Sequence, residues 1–307
     1  MGMISSDQPR RAHVTRRRWP WHAYAFLAPY MLFLLAFGLG PALYAVWLSV
    51  TDTTAPGVKI TGLTNYSDVW NDFRLSPAVT DVLTYMAYCL PTLIVLTLFL
   101  ALMLHAHPGR LSSTMRMIYY LPGAVTGAAS CLVWLFMLSP DVSPFSWLLK
   151  GLGLQTRDVI LTNYLPQAIA VMVLMAATGG WIVIMYGGLN SISTEMLEAA
   201  TVDGCNGIQV AWFIKLPSLA RYIVFIFILS FAGGTQLFVE PQILWGATQQ
   251  QVSNVWSINQ LAYSYAFTDD NFGKSAAVSV GLLVVGLVAA LIVIFKTSFY
   301  RIEAEGS

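Results

Sequence analysis

EAATVDGCNGIQVAWFIKLP, residues 198–217, is the stretch on which the reading of this chain turns. It lies in a polar interval between two long apolar runs. Ser193 stands ahead of it as an N-cap, and Glu195 and Glu198 fall in the first turns, where the positive end of a helix dipole favours carboxylates. Met196, Leu197, Ala200 and Thr201 share one side at helical spacing. Asp203-Gly204 then stops the helix, with Gly204 suited to a left-handed C′ position. A second short helix, about 207–214, is expected to present Val210, Phe213 and Ile214. Pro217 suits the first turn of the apolar run that follows, where its missing N–H costs nothing. The result is a helix–turn–helix at a membrane surface. Such an element either fits a groove in another protein or rests on lipid headgroups.

Outward from this loop the chain is oil-like. Of 307 residues, 57% are hydrophobic and 10% charged, and the mean hydropathy is +0.65. A soluble domain carries about a quarter charged residues. A net charge of +1 leaves no broad basic surface for phosphates, so nucleic acid is not an expected partner. Cys89, Cys131 and Cys205 have spacings that suit neither a disulfide framework nor a zinc site, and they read as packing residues.

Six runs reach the roughly 20 apolar residues that a helix needs to cross a bilayer. They cover about 24–48, 82–104, 117–138, 164–188, 222–245 and 276–295. The first has no A-x-A exit and reads as a retained span rather than a cleaved signal. The runs are expected to lack the intramembrane carboxylate that proton- or sodium-coupled carriers keep, which disfavours a secondary carrier. With the N-terminus inside, the inner pieces collect Arg10, Arg11, Arg16, Arg17, Arg18, Arg110, Arg116, Lys215, Arg221, Lys296 and Arg301. The outer pieces collect Lys59, Arg74, Lys150, Arg157 and Lys274. That bias places both tails and the 191–217 loop on the cytoplasmic side.

The N-terminal arm is basic and suited to anionic headgroups, with Trp19, Trp21 and Tyr24 as an interfacial anchor. Met1-Gly2 with Ser6 and Asn65-Tyr66-Ser67 match myristoylation and glycosylation patterns, both short enough to arise by chance. Three longer outer loops, about 51–80, 139–163 and 246–275, offer a docking face for an outside partner but are too short for a domain. No G-x-x-x-x-G-K-[ST] phosphate loop occurs, so any ATP chemistry must come from a partner.

Two runs are interrupted near mid-depth, at Gly179-Gly180-Trp181 and at Gly233-Gly234-Thr235-Gln236. Paired glycines either loosen a helix beside a cavity or let helices pack closely, as Gly123-x-x-x-Gly127 also suggests. Trp134, Trp181, Gln236 and Glu240 are the candidate solute-lining residues, the two tryptophans being equally suited to core or lipid.

Residues 198–217 meet every fixed position of E-A-A-x3-G-x9-I-x-L-P. Gly62-Leu63-Thr64-Asn65-Tyr66, Arg116 with Leu121-Pro122 and Trp134, Gly188-Leu189, Tyr265-Ala266-Phe267 and Gly273 with Ala276-Ala277 extend the likeness. On these residues the chain resembles the permease subunits of bacterial ABC importers, in the MalF/UgpA-like sugar branch. It departs from the family's pattern at Ser193, at Cys205 and at Gly246-Ala247-Thr248-Gln249. The resemblance implies an all-α membrane protein with six transmembrane helices in the type I ABC importer permease fold, both termini cytoplasmic. It implies a basic arm at 1–22, a permease domain at 23–300 with its EAA loop at 191–217, and a short tail at 301–307. A second EAA-containing permease, two ATPase subunits that bind ATP and Mg, and an extracytoplasmic solute-binding protein would be its partners. Glu198 and the Asp203-Gly204 turn would contact the ATPase, and Ala199 and Ala200 would allow close approach. Ile214, Leu216 and Pro217 would tie the loop to the fifth span. The solute would be a sugar or a polyol phosphate, with a peptide or amino acid as the alternative; a catalytic site, a bound cofactor and a metal are not expected.

Overall fold

The computed structural model describes residues 21–54, 59–125, 127–248 and 252–296, with the backbone alone at 21–23. Residues 1–20 of the basic arm, with the myristoylation pattern and Trp19, lie outside the described residues, as do Gln249 and the 301–307 tail. Two units divide the chain, Met1–Tyr44 and Ala45–Ser307.

In the first unit, α1 (Trp21–Phe33) runs through a π-helical turn (Leu34–Leu39) into α2 (Gly40–Ser49), whose end belongs to the second unit. Phe26, Phe33 and Phe37 are exposed, and the rings of Phe33 and Phe37 stack 5.9 Å apart. A helix apolar on every side suits lipid rather than water.

The second unit continues with a two-residue-per-strand hairpin, β1 (Thr51–Asp52) and β2 (Lys59–Ile60), in antiparallel register with Thr51 opposite Ile60. Helices α3 (Thr64–Trp70), α4 (Leu75–Ala106), α5 (Arg110–Ala124) and α6 (Gly127–Met137) follow. After α7 (Ser146–Gly151) and α8 (Arg157–Asn163) comes the long α9 (Leu165–Asn190). The loop contributes α10 (Thr194–Val202), α11 (Gly207–Val210) and α12 (Leu216–Ser218). The chain then runs through α13 (Ala220–Thr235), α14 (Val239–Ala247), α15 (Ile258–Phe267) and α16 (Phe272–Lys296).

Among the described residues, five helical stretches are long and apolar enough to cross a bilayer, and α5 with α6 makes a sixth if that pair, bent by 102°, counts as one span. The third run is therefore not the straight helix its length suggests. The fifth is also composite, since α13 ends at Thr235 and α14 begins at Val239.

The packing of α4 and α5 on α9 forms the centre of the second unit. Leu93, Ile169, Met185 and Leu189 are fully or almost fully buried there. Small residues set the α5–α9 approach: a Cβ on Gly179 would collide with the carbonyl oxygen of Tyr119, and one on Gly123 with that of Ala176. Without a water-driven force between helices in lipid, such close backbone contact supplies the attraction. Gly179 thus belongs to packing, while Gly180 faces open space. Gly127 does not complete the expected pair with Gly123. Its φ of +62° and open surroundings make it the turn that starts α6.

An ordered polar layer covers the start of α4. Gly62, at φ +63°, turns the chain into α3, and Asn65 donates from Nδ2 to the carbonyls of Ser49 (3.0 Å) and Thr51 (2.8 Å). Tyr66 donates to Ser49 Oγ at 2.8 Å. Gly273 closes over the same carbonyl, where a Cβ would stand 2.5 Å from Thr51 O and 2.8 Å from Asn65 Nδ2. The two motifs at 62–66 and 273–277 therefore meet in space. Asn65 is buried with its amide engaged, which removes it as a glycosylation acceptor.

Arg74 joins this layer to α15. It bridges Asp72 (2.9 Å) and Asp269 (3.0 Å) and lies 4.8 Å from the Tyr265 ring centroid. Hydrogen bonding from Arg74 holds the Asp72 carboxyl at about 2, and burial, with the Asp72 contact, pushes the Tyr265 phenol up. Lys274 of α16 pairs with Asp68 of α3 at 3.0 Å.

Candidate coupling loop and solute cavity

Helix α4 carries this layer at its start and meets the 191–217 loop at its end. At 1.5 Å per residue its 32 residues extend roughly 48 Å, enough to separate two membrane faces. At the far end, Lys215 Nζ lies 3.0 Å from His105 Nδ1. His105 sits edge-on to Tyr186 of α9 (5.7 Å), whose other contact is the Arg116 guanidinium, 3.9 Å from the ring centroid. Burial draws the Lys215 ammonium below its ordinary value. Lys215 therefore ties the loop to α4, whose His105 lies against Tyr186 of α9 and, through that ring, Arg116 of α5.

Within the loop, Ser193 Oγ accepts from the Met196 N–H at 3.4 Å, so the cap forms as its position suggests. Gly204 takes φ +86°, with Gly204 N–H bonding to Thr201 O (3.1 Å) and Cys205 N–H to Ala200 O (3.0 Å). These paired bonds are a Schellman ending, which closes the last turn of α10. Asn206 and Gln209 then exchange reciprocal bonds of 2.8 and 2.9 Å that start α11.

The second loop helix is shorter than its sequence suggests. It ends at Val210 and passes through a π-helical turn, Ala211–Lys215, into α12. Val210 is buried at the end of α11, and the wider turn after it leaves Trp212 and Phe213 exposed. Ile214 and Leu216 are half-buried, and Pro217 occupies the first turn of α12.

The loop's two alanines part company. Ala200 is buried within the chain, whereas Glu198, Ala199, Asp203 and Gly204 lie on the outside. Beside them Val202 and Ile208 are more than four-fifths exposed. Leu197, Glu198, Thr201 and Val202 line a shallow depression. Exposed apolar side chains rimmed by polar ones mark interaction surfaces.

Among the described residues, two cavities bear on the candidate lining positions. One, of about 330 Å³, is lined by Tyr85, Ser230, Gly233, Gln236, Phe238 and Glu240 among others. The second, of about 250 Å³, lies by the α5–α6 break at Gly123, Gly127 and Ser130. Glu240, Val173 and Ala177 line both. Of the four candidate lining residues, Gln236 and Glu240 come together here. Trp134 and Trp181 pack against the main core, Trp181 meeting Phe225 edge-on at 6.1 Å.

Asn259 fixes the α13–α14 break by donating to Gln236 O at 3.1 Å. Gln260, fully buried, donates to Gln242 Oε1 at 3.0 Å and accepts from the N–H groups of Trp256 and Ser257. Single amides between apolar runs gave no sign of this bracing, because it depends on which helices become neighbours.

The expectation of runs without carboxylates fails at Glu240, which stands inside the stretch Ala220–Ala247. Asp81 likewise lies in the stretch Leu75–Ala106. An uncharged interior is therefore no argument against ion coupling, and the family must decide the class.

A bundle of membrane-length helices with a cavity among them and a clamped polar helix–turn–helix at one end has the build of a transport component. The chain belongs to the family of binding-protein-dependent transport system inner membrane components, whose pattern matches residues 73–302. It is thus a multi-pass inner-membrane transport subunit and not an enzyme. It is 24% identical, over 91% of its length and 88% of the relative's, to the arabinooligosaccharides transport system permease protein AraP of Halalkalibacterium halodurans. To the sn-glycerol-3-phosphate transport system permease protein UgpA of Agrobacterium fabrum it is 28% identical, over 85% and 89%. Its fold matches a chain of a bacterial alginate ABC transporter solved in complex with an alginate pentasaccharide-bound periplasmic protein. There the TM-score is 0.74 at 17% identity, covering 92% of this chain and 95% of that one.

Proposed function

We propose that the chain is the permease subunit of an ATP-driven ABC importer, forming with a second permease the pathway for a sugar or polyol phosphate. Glycerol phosphate and a disaccharide are representative solutes. Two cytoplasmic ATPase subunits, which bind ATP and Mg, work the pathway through the 191–217 loop, and an extracytoplasmic binding protein delivers the solute to the polar layer around Arg74. Both termini lie in the cytoplasm.

The observation that carries this reading is the loop's build. A Schellman turn at Gly204 and the Lys215–His105 clamp make it stiff, while Glu198, Ala199 and Asp203 stay on its surface. A stiff element tied to α4 moves that helix, and the α9 packed on it, when it is moved. The relatives named as arabinooligosaccharide and glycerol-phosphate permeases support the solute class.

Uptake into proteoliposomes containing both permeases, the ATPase subunits and the binding protein tests it. Uptake that needs both internal ATP and the binding protein is expected. Uptake driven by an ion gradient without ATP would contradict it.

A further inference from the structure

We infer that Glu240 sets the solute class of this pathway: a polyhydroxyl solute without negative charge, whose hydroxyl groups donate to the Glu240 carboxylate, and not a phosphate ester or a uronate. The inference deepens the importer reading above and rests on it.

The position of the side chain argues first. Glu240 lines both cavities and is the charged side chain they share among the described residues. It stands in the first turn of α14, just past the break at 236–238, where the fifth span has no continuous helix. Non-helical backbone at membrane depth is tolerated where it lines a cavity. Gln236 is exposed at the same break, and Gly233 leaves open space one turn before it.

Charge argues second. Glu240 is the single charged side chain among the described residues lining either cavity. It is half-buried and takes part in no hydrogen bond or ion pair within the described residues. A carboxylate offers acceptors only, so it pairs with hydroxyl donors and repels an anion. Anion-conducting pores place Arg or Lys where the anion passes, and neither residue lines these cavities among the described residues. The remaining walls suit the C–H faces and hydroxyls of a sugar, with Tyr85 and Phe238 as rings and Ser230 and Gln236 as polar partners.

The test uses the full complex in proteoliposomes, with maltotriose, arabinotriose, sn-glycerol 3-phosphate and an alginate trisaccharide as probes. One of the uncharged trisaccharides should be taken up with ATP, and neither anion should be. Glu240→Leu should lower that uptake at least tenfold while the amount of complex and its ATPase activity stay at wild-type levels. Glu240→Gln keeps the shape and one acceptor oxygen, and should stay within about threefold. ATP-driven uptake of either anion, uptake of no probe, or wild-type uptake by Glu240→Leu would overturn the inference. Uptake that ignores ATP would instead overturn the importer reading, so the two failures are distinguishable.

Discussion

The Tyr265 hydroxyl donates a 2.6 Å hydrogen bond to Oδ2 of Asp72, joining residues 193 positions apart. The bond holds α15 to the start of α4 and, through Arg74 and Asp269, stiffens the polar layer at that end of the bundle. Tyr265→Phe removes the donor and leaves the ring under Arg74. It should cost about 1–3 kcal/mol, seen as a lower midpoint in a heating series followed by size-exclusion chromatography of the detergent-solubilised protein. An unchanged midpoint would show that the bond adds nothing.

Asp72 also makes this layer sensitive to acid. Its carboxyl titrates at about 2 in the fold, below the ordinary carboxylate value near 4. A depressed carboxylate stabilises the fold above its unfolded value, and that contribution is lost as pH falls from about 4 towards about 2. Hydrogen exchange over residues 64–75 and 258–273 should quicken, relative to α9, across that window. In Asp72→Asn the step should vanish.

Neighbouring glycines should behave differently. Gly179→Ala places a methyl group against the Tyr119 carbonyl and should weaken the α5–α9 contact, with a loss of folded protein on heating. Gly180→Ala meets nothing and should match wild type. Equal stability of the two variants would contradict the packing described.

Lys215→Met should loosen the loop from α4 by deleting the contact to His105. Uptake by the reconstituted complex is expected to fall several-fold while its ATP hydrolysis continues. Unchanged uptake would mean that the clamp carries no force.

Gly204→Val forces a β-branched residue to φ +86°, a conformation costing roughly 1–3 kcal/mol for such a side chain. Membrane insertion should persist, since the apolar runs are untouched, and ATP hydrolysis should become uncoupled from uptake. Normal coupling in this variant would remove the turn from the mechanism.

Much of this was legible in the chain because the deciding signals are local. Ser193 caps, Gly204 turns and the apolar runs announce themselves through residue type and spacing. The π turn at Ala211–Lys215 was not legible, since no residue type demands it and the side chains on either side of it decide it by their packing. The junction at Glu240 was hidden for another reason: one carboxylate in an apolar run says nothing about which helices leave space around it. The meeting of Asn65 with Gly273 depends on pairing across most of the chain, although both motifs could be seen separately.

Residues 198–217 are the surface on which an ATPase subunit is proposed to pull. Single cysteines at 198, 199, 200 and 70, in a background without Cys89, Cys131 and Cys205, put it to a direct test by thiol cross-linking in the assembled complex. Glu198→Cys and Ala199→Cys should yield a permease–ATPase product. Buried Ala200→Cys should yield little, and Trp70→Cys, exposed in the layer at the other end of α4, none. A product from position 70, or none from 198 and 199, would contradict the account.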